Sequence, residues 1–351
     1  MTPATASVAG VGGDLNEGET VTVSSVLPTS PPEDPSEPQG ALTTVSRTGD
    51  KVMRILTTGS GLLVSSAIGL IAVFLLITAI PALVKNTANF FTYTGPWVVS
   101  GSEMKFGIAS QFYATVLVSV IALLIAMPVA LGIAIFVTEY APKKVAKPIT
   151  YVVDLLAAVP SIVYGLWGIL VLGPALVGIN RWLVDHLSFL PFFREPQNVA
   201  NMSTGGTMLT AGIVLSVMIL PVITAVTREV FAKTPTSQRE AALALGATKW
   251  EVVKTAVMPF GFSGYISGSM LGLGRALGET MALLLIISTV GPINFNLMES
   301  GQTFATVIAN NASEFDSPAK TGAYISAGLV LFVLTFIVNA AARGVIARKG
   351  A

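Results

Sequence analysis

The sequence has no cysteine, a single histidine (His186) and few charges: 11% of its 351 residues are Asp, Glu, Lys or Arg, where a soluble domain carries about 25%. Without thiols there are no disulfides, thiolate metal sites or cysteine nucleophiles, and one imidazole gives no basis for a His-based metal centre. A net charge of +1 supplies no basic field for nucleic acid. No Gly-Lys dipeptide occurs, so a Walker A loop is absent and the chain is not itself an ATPase. A membrane-embedded enzyme lacks a nucleophile-base or metal constellation to work with. What is abundant is apolar: 52% of residues, with a mean hydropathy of +0.74. That combination points to an all-α, polytopic membrane protein.

Residues 1–46 stand apart. They hold six acids (Asp14, Glu17, Glu19, Glu33, Asp34, Glu37), six prolines and no Lys or Arg, too little apolar surface to offset chain entropy. The expectation is a disordered, acidic, Pro-rich cytoplasmic tail, either a plain solvated extension or a regulatory segment. It lacks the basic start of a signal peptide, and the apolar run after it is too long for one. Residues 47–351 then form a six-span membrane domain. A membrane helix needs about 20 apolar residues, and six segments qualify: Leu56 to Val84, Phe106 to Thr138, Leu155 to Asn180, about Thr207 to Thr227, about Pro259 to Gly291, and Thr321 to Ala342. The fifth is interrupted by Arg275 and Glu279. Fourteen of the twenty basic residues fall before span 1, between spans 2 and 3, between spans 4 and 5, and after span 6. Because basic loops resist translocation, both termini are expected in the cytoplasm.

The cytoplasmic loop at residues 228–260 carries more order than a connector needs. Ser237 with Glu240 and Thr248 with Glu251 both fit the capping-box pattern for a helix start, and Gly246 between them suits the left-handed residue that ends a helix. The predicted object is a rigid elbow of two short helices, in contrast to an amphipathic connector lying on the membrane surface. Glu240-Ala241-Ala242, three residues, Gly246, and later Pro259 resemble the EAA loop of type I ABC importer permeases. The chain has Ala256 and Met258 where the family pattern has Ile and Leu. The resemblance implies that Glu240, Ala241, Ala242 and Gly246 form the coupling segment that docks on a cytoplasmic ATPase.

Span 5 holds the second signal, Gly272-Leu273-Gly274-Arg275-Ala276-Leu277-Gly278-Glu279-Thr280. On a continuous helix, Arg275 and Glu279 share a face and can pair; a charge at mid-bilayer costs about 2.5 to 3.5 kcal/mol, so it faces a bundle interior or a wet path. One reading is a buried ion pair that fixes packing. The other is a substrate path, with the guanidinium fork binding a phosphate-like oxyanion and Glu279 accepting from a proton-bearing oxygen. Gly264, Gly268 and Gly272 at spacing four form a bare ridge for a close neighbour. The spacing of Gly272, Gly274 and Gly278 does not fit a dinucleotide fingerprint.

Gly274 to Ala282, and Ala158 to Leu166 in span 3, resemble PstC-type permeases of the phosphate ABC importer. That resemblance runs from about Phe106 through span 6 and implies the permease subunit of an ATP-driven phosphate importer, in the cytoplasmic membrane of a bacterium or archaeon. It further implies a PstA-type permease, a PstB-type ATPase dimer carrying ATP and Mg, and a PstS-type phosphate-binding protein as partners, with no cofactor on this chain. Sulfate or molybdate permeases are the nearest alternatives. An ion-coupled secondary transporter or channel is a further one, though no second copy of the Arg/Glu segment exists to make the paired broken helices of that class. Prolines 128, 160, 174 and 221 mark packing irregularities or hinges, and His186 reads as a solvated loop residue.

Overall fold

A computed structural model describes residues 48–99, 103–287, 293 and 295–349. The acidic tail and the far end of the fifth apolar segment, Ser288 to Gly291, lie outside them. The chain divides into two units, Met1–Gly59 and Ser60–Ala351; the start of helix α1 belongs to the first, and the remaining described helices belong to the second. Among the described residues the regular structure is helical, with two isolated β-bridges, Asn86 with Met104 and Val98 with Lys105.

Helix α1 runs Thr48–Lys85, and α2 runs Ala109–Ile135 and continues through a π-helical turn at Phe136–Tyr140. Helix α3 (Lys143–Ala158) comes next, then α4 (Ser161–Trp167), a π turn at Gly168–Leu172, and α5 (Gly173–Leu187). The short α6 (Val199–Thr204) precedes α7 (Met208–Ala232); α8 (Thr236–Ala244) and α9 (Lys249–Val252) make the elbow. A π turn at Val253–Val257 leads into α10 (Met258–Leu277), succeeded by α11 (Met281–Ile286), α12 (Phe304–Asn310) and α13 (Pro318–Lys349). Among the described residues, five helical stretches are long and apolar enough to cross a bilayer: Gly49–Lys85, Ala109–Tyr140, Ser161–Leu187, Val199–Ala232 and Pro318–Gly344.

Helix α7 is the hub, and the residues facing it explain why. Ala122, Ala126, Ala130 and Ala134 recur every fourth position on α2 and are fully buried. Their small side chains let the α2 and α7 backbones approach along much of their length. On its other side α7 meets the glycine ridge of α10: a methyl on Gly264, Gly268 or Gly272 would run into Val230, Val226 and Ile223 respectively. The numbers ascend on α10 as they descend on α7, so the two helices are antiparallel. A second core, around Phe106, Phe304 and Tyr324, joins the end of α1 to α12 and α13. Trp97 stacks on Tyr324 at 5.4 Å and donates its indole N–H to the Gly107 carbonyl at 2.9 Å.

Two expectations about spans need correcting. The third apolar segment does not run unbroken from Leu155. Val159, held extended (ψ 129°) ahead of Pro160, ends α3 because the proline ring disfavours helical backbone in the preceding residue. Leu155 therefore belongs to a separate amphipathic helix, and the long helix starts at Ser161. The fifth segment is not one helix either. It breaks at Gly278-Glu279-Thr280 between α10 and α11, and with five glycines and three serines in α10 it is absent from the five long apolar stretches.

Gly205 closes α6 in the left-handed region (φ 79°) and packs directly on the Gly173 backbone. Gly205→Ala is expected to cost about 1 to 2 kcal/mol for the backbone alone, before the collision with Gly173. The check is a lower thermal midpoint in detergent and a lower membrane level; an unchanged midpoint would show that the α5–α6 contact adds nothing to the folded state.

Candidate functional site

The elbow forms as two short helices, with one difference in detail. Thr248 and Glu251 make the full capping box: the Thr248 N–H donates to Glu251 Oε2 at 2.7 Å, and the Glu251 N–H donates to Thr248 Oγ1 at 3.4 Å. These bonds, first from the Thr248 backbone and then from its hydroxyl, hold the Glu251 carboxyl below the ordinary carboxylate range. The cap is accordingly intact at neutral pH and is lost only as pH falls through that lowered pKa. The Ser237 box does not form. Helix α8 begins at Thr236, directly after Pro235, with no side-chain cap, so Ser237 falls inside the first turn, where its hydroxyl cannot serve as the cap.

Gly246 takes the left-handed backbone (φ 83°). Its N–H donates to the Leu243 carbonyl at 2.9 Å, while the Ala247 N–H reaches the Ala242 carbonyl at 3.1 Å. This pair of bonds is the Schellman arrangement that ends a helix sharply. Glu240 and Ala241 are exposed and Ala242 is half-buried. Leu243, Leu245 and Trp250 are also exposed, Leu245 at 89%. The elbow therefore presents an apolar knob beside an accessible carboxylate.

Arg239, which carries no signal of its own in the sequence, fixes the other face of this elbow. Its Nη2 lies 3.0 Å from Glu139 Oε1 and donates to the Phe231 carbonyl at 2.8 Å, while Nη1 donates to Glu139 Oε2 at 3.2 Å. One guanidinium thus joins α8 to the π turn at the end of α2 and to the end of α7. A lesser link at 3.6 Å, Arg228 with Asp154, ties α7 to α3. Arg239 stands beside Glu240 in the chain, but its partner lies 100 residues away and no local pattern reveals it.

Arg275 and Glu279 do not pair. Helix α10 ends at Leu277, two residues after Arg275, so the turn needed to align the two side chains is missing. Arg275 is exposed, whereas Glu279 is buried at 8%. The Glu279 carboxylate instead accepts from the Ala282 N–H at 3.1 Å, satisfying a free donor at the start of α11. Helix α11 packs in turn on α4, where Gly165 allows so close an approach that a methyl there would lie 2.7 Å from the Ala282 Cα. The two segments with PstC-like sequence, Ala158 to Leu166 and Gly274 to Ala282, are therefore packed together. The Tyr164 hydroxyl donates to the Leu156 carbonyl at 2.7 Å, bridging the Pro160 break.

The open face of α10 borders a cleft of about 670 Å³ between α7, α10 and α13. Arg275 lines it together with Gly274, Ser267 and Leu271 of α10, Val222 of α7, and Asn339 and Arg343 of α13. Among the described residues no carboxylate lines this cleft. Among the described residues neither Arg275 nor Arg343 makes an ion pair, and no cluster of His, Cys, Asp or Glu suited to a metal is present. Arg343 is visible in the sequence only as one of the basic residues after the last span.

A family profile described as "Binding-protein-dependent transport system inner membrane component" matches residues 126–350, which include the elbow and the arginine cleft. The chain is 52% identical over 305 residues to "Phosphate transport system permease protein PstC 2" of Mycobacterium tuberculosis, covering 87% of this chain and 94% of that one. It is 39% identical over 313 residues to "Phosphate transport system permease protein PstC" of Xylella fastidiosa, covering 89% and 94% respectively. Among solved structures it is similar to a chain of the inward-facing MetNI methionine ABC transporter, at 13% identity and a TM-score of 0.49, covering 69% of this chain and 95% of that one. By the profile and by identity sustained over most of its length, the chain belongs to the inner-membrane components of binding-protein-dependent transport systems, and within them to the PstC-type permeases.

Proposed function

We propose that this chain carries inorganic phosphate into the cell as one half of a permease, with Arg275 in the translocation path and the elbow at Glu240, Ala241, Ala242 and Gly246 as the segment that receives the ATPase stroke. As a family member it is a multi-pass subunit of the cytoplasmic membrane that works with permease and ATPase subunits and does not itself hydrolyse ATP. The specific partners are a PstA-type permease, a PstB-type ATPase dimer that holds ATP and Mg, and a PstS-type phosphate-binding protein. In this reading α10 with α11 makes a sixth crossing, and both termini face the cytoplasm, where the basic loops lie.

The observation that carries the reading is the 52% identity to a phosphate permease over 87% of the chain. Its chemistry fits the cleft, since guanidinium groups with no competing carboxylate suit an oxyanion. Glu279 acts indirectly in this reading, by capping α11, the half-helix that follows the break after Leu277.

Labelled phosphate uptake is the test, in cells depleted of their own importers and supplied with this chain and its partner subunits. Uptake should depend on this chain and resist excess sulfate and molybdate. Uptake that either anion abolishes would reassign the cargo, and phosphate entry without the ATPase subunit would reassign the mechanism to a secondary transporter or channel.

A further inference from the structure

The arginine cleft contains more chemistry than a single cation needs. Arg343 and Asn339 stand four residues apart on α13, hence on one face of that helix, and both border the space that Arg275 enters from α10. Arg343 lies at the end of the apolar stretch Pro318–Gly344. Two like charges in one cleft, without a carboxylate between them, repel each other, and a charge within a bilayer already costs about 2.5 to 3.5 kcal/mol. Snorkelling would relieve Arg343 if its only task were to mark the cytoplasmic boundary, but it would not explain why Asn339 and Ser267 line the same cleft. An anion bridging the two guanidiniums removes the repulsion and meets the donors of both.

The polar neighbours narrow the choice of anion. The Ser267 hydroxyl donates to the Ser263 carbonyl at 2.8 Å. Its proton is committed there, so toward the cleft Ser267 Oγ can only accept. Sulfate carries no proton to give, and its oxygens meet that lone pair unfavourably. Monohydrogen phosphate, the doubly charged form of inorganic phosphate, has one P–OH to donate. Its two charges also match the two guanidiniums.

We infer that Arg275, Arg343, Asn339 and Ser267 form a two-arginine site for a divalent, proton-bearing oxyanion, with Ser267 Oγ as the acceptor that favours hydrogen phosphate over sulfate. The inference rests on the phosphate-import reading and adds to it the residues that hold the cargo inside the membrane. It replaces Glu279, which is buried and occupied at α11, as the group that recognises the phosphate proton.

The absence of cysteine makes the site directly measurable. Gly274 lines the cleft, and a side-chain carbon there meets nothing within 4 Å. Gly274→Cys thus introduces the only thiol of this chain. In nanodiscs holding the full complex, the rate at which an uncharged maleimide modifies that thiol is followed with inorganic phosphate, sulfate or chloride present. At a phosphate concentration about ten times its Kd, modification should slow about tenfold, with sulfate protecting less and chloride not at all. Adding Arg343→Gln should remove the protection, Arg343→Lys should keep part of it, and Ser267→Ala should bring sulfate level with phosphate. Protection equal for chloride and phosphate, or unchanged by Arg343→Gln, would overturn the site.

Nanodiscs of phosphatidylcholine alone, compared with discs containing phosphatidylglycerol, separate free phosphate from a lipid headgroup. Slow modification without phosphate, in the phosphatidylglycerol discs only, would give the cleft to lipid and overturn the inference. If the native complex imports phosphate while the thiol is never protected, the two-arginine site falls and the cargo assignment stands. If import fails in the native complex, the cargo assignment falls, and the protection data still decide whether the cleft holds an anion.

Discussion

Phosphate uptake by Arg275→Gln is expected to fall at least about tenfold at unchanged membrane level, a loss of about 1.4 kcal/mol or more of transition-state stabilisation. Glutamine keeps two donors but loses the charge and the planar fork, and the cleft has no other α10 cation to replace them. Arg275 is exposed and makes no ion pair among the described residues, so its removal should leave folding intact. A blot for abundance and an ATPase assay on the purified complex distinguish lost transport from lost assembly. Normal uptake by this variant would make Arg275 a surface charge of α10 and send the search for the path elsewhere.

The opposite expectation holds for Arg239, whose removal should damage the structure itself. Its side chain is 24% exposed and that of Glu139 11%. Breaking a fully buried pair costs about 3 to 5 kcal/mol because a charge is left stranded; with water reaching part of this pair, about 2 kcal/mol is the expected loss for Arg239→Ala. The functional effect should be larger than that figure suggests, because the same guanidinium holds α8 to the ends of both α2 and α7. In the proposed reading, a stroke applied at the elbow reaches α2 and α7 directly, as well as through α9 into α10. Uptake should drop about tenfold or more in Arg239→Ala, a loss worth at least about 1.4 kcal/mol. The exchange Glu139→Arg with Arg239→Glu should recover part of it, since the pair is restored although the Phe231 bond is not. Full uptake in the single variant would show that the elbow is held by the α9 connection alone.

Local patterns are legible in the sequence wherever neighbours in the chain satisfy each other. The Thr248 and Glu251 box and the left-handed Gly246 close within a few residues, and both form. The ridge of Gly264, Gly268 and Gly272 announces a close partner, although only the structure identifies it as α7. The Ser237 box fails for an equally local reason, since Pro235 sets the helix start two residues earlier. Leu155 lies outside the long helix because apolar composition continues across Pro160 while helical backbone does not.

The sequence by itself determined the class of protein. Scarce charge, long apolar runs and the missing Walker A loop are properties of composition and order, and the coupling and Arg/Glu motifs are contiguous enough to place the chain among ABC importer permeases. The tertiary structure decided which charges meet. Arg275 and Glu279 are four residues apart, yet the break after Leu277 sends one to an open cleft and the other to the start of α11. Arg239 finds Glu139 across 100 residues, and Arg275 shares its cleft with Arg343 from the last helix. Pairing of that kind depends on how helices cross and where they break, and those are set by packing over the whole bundle.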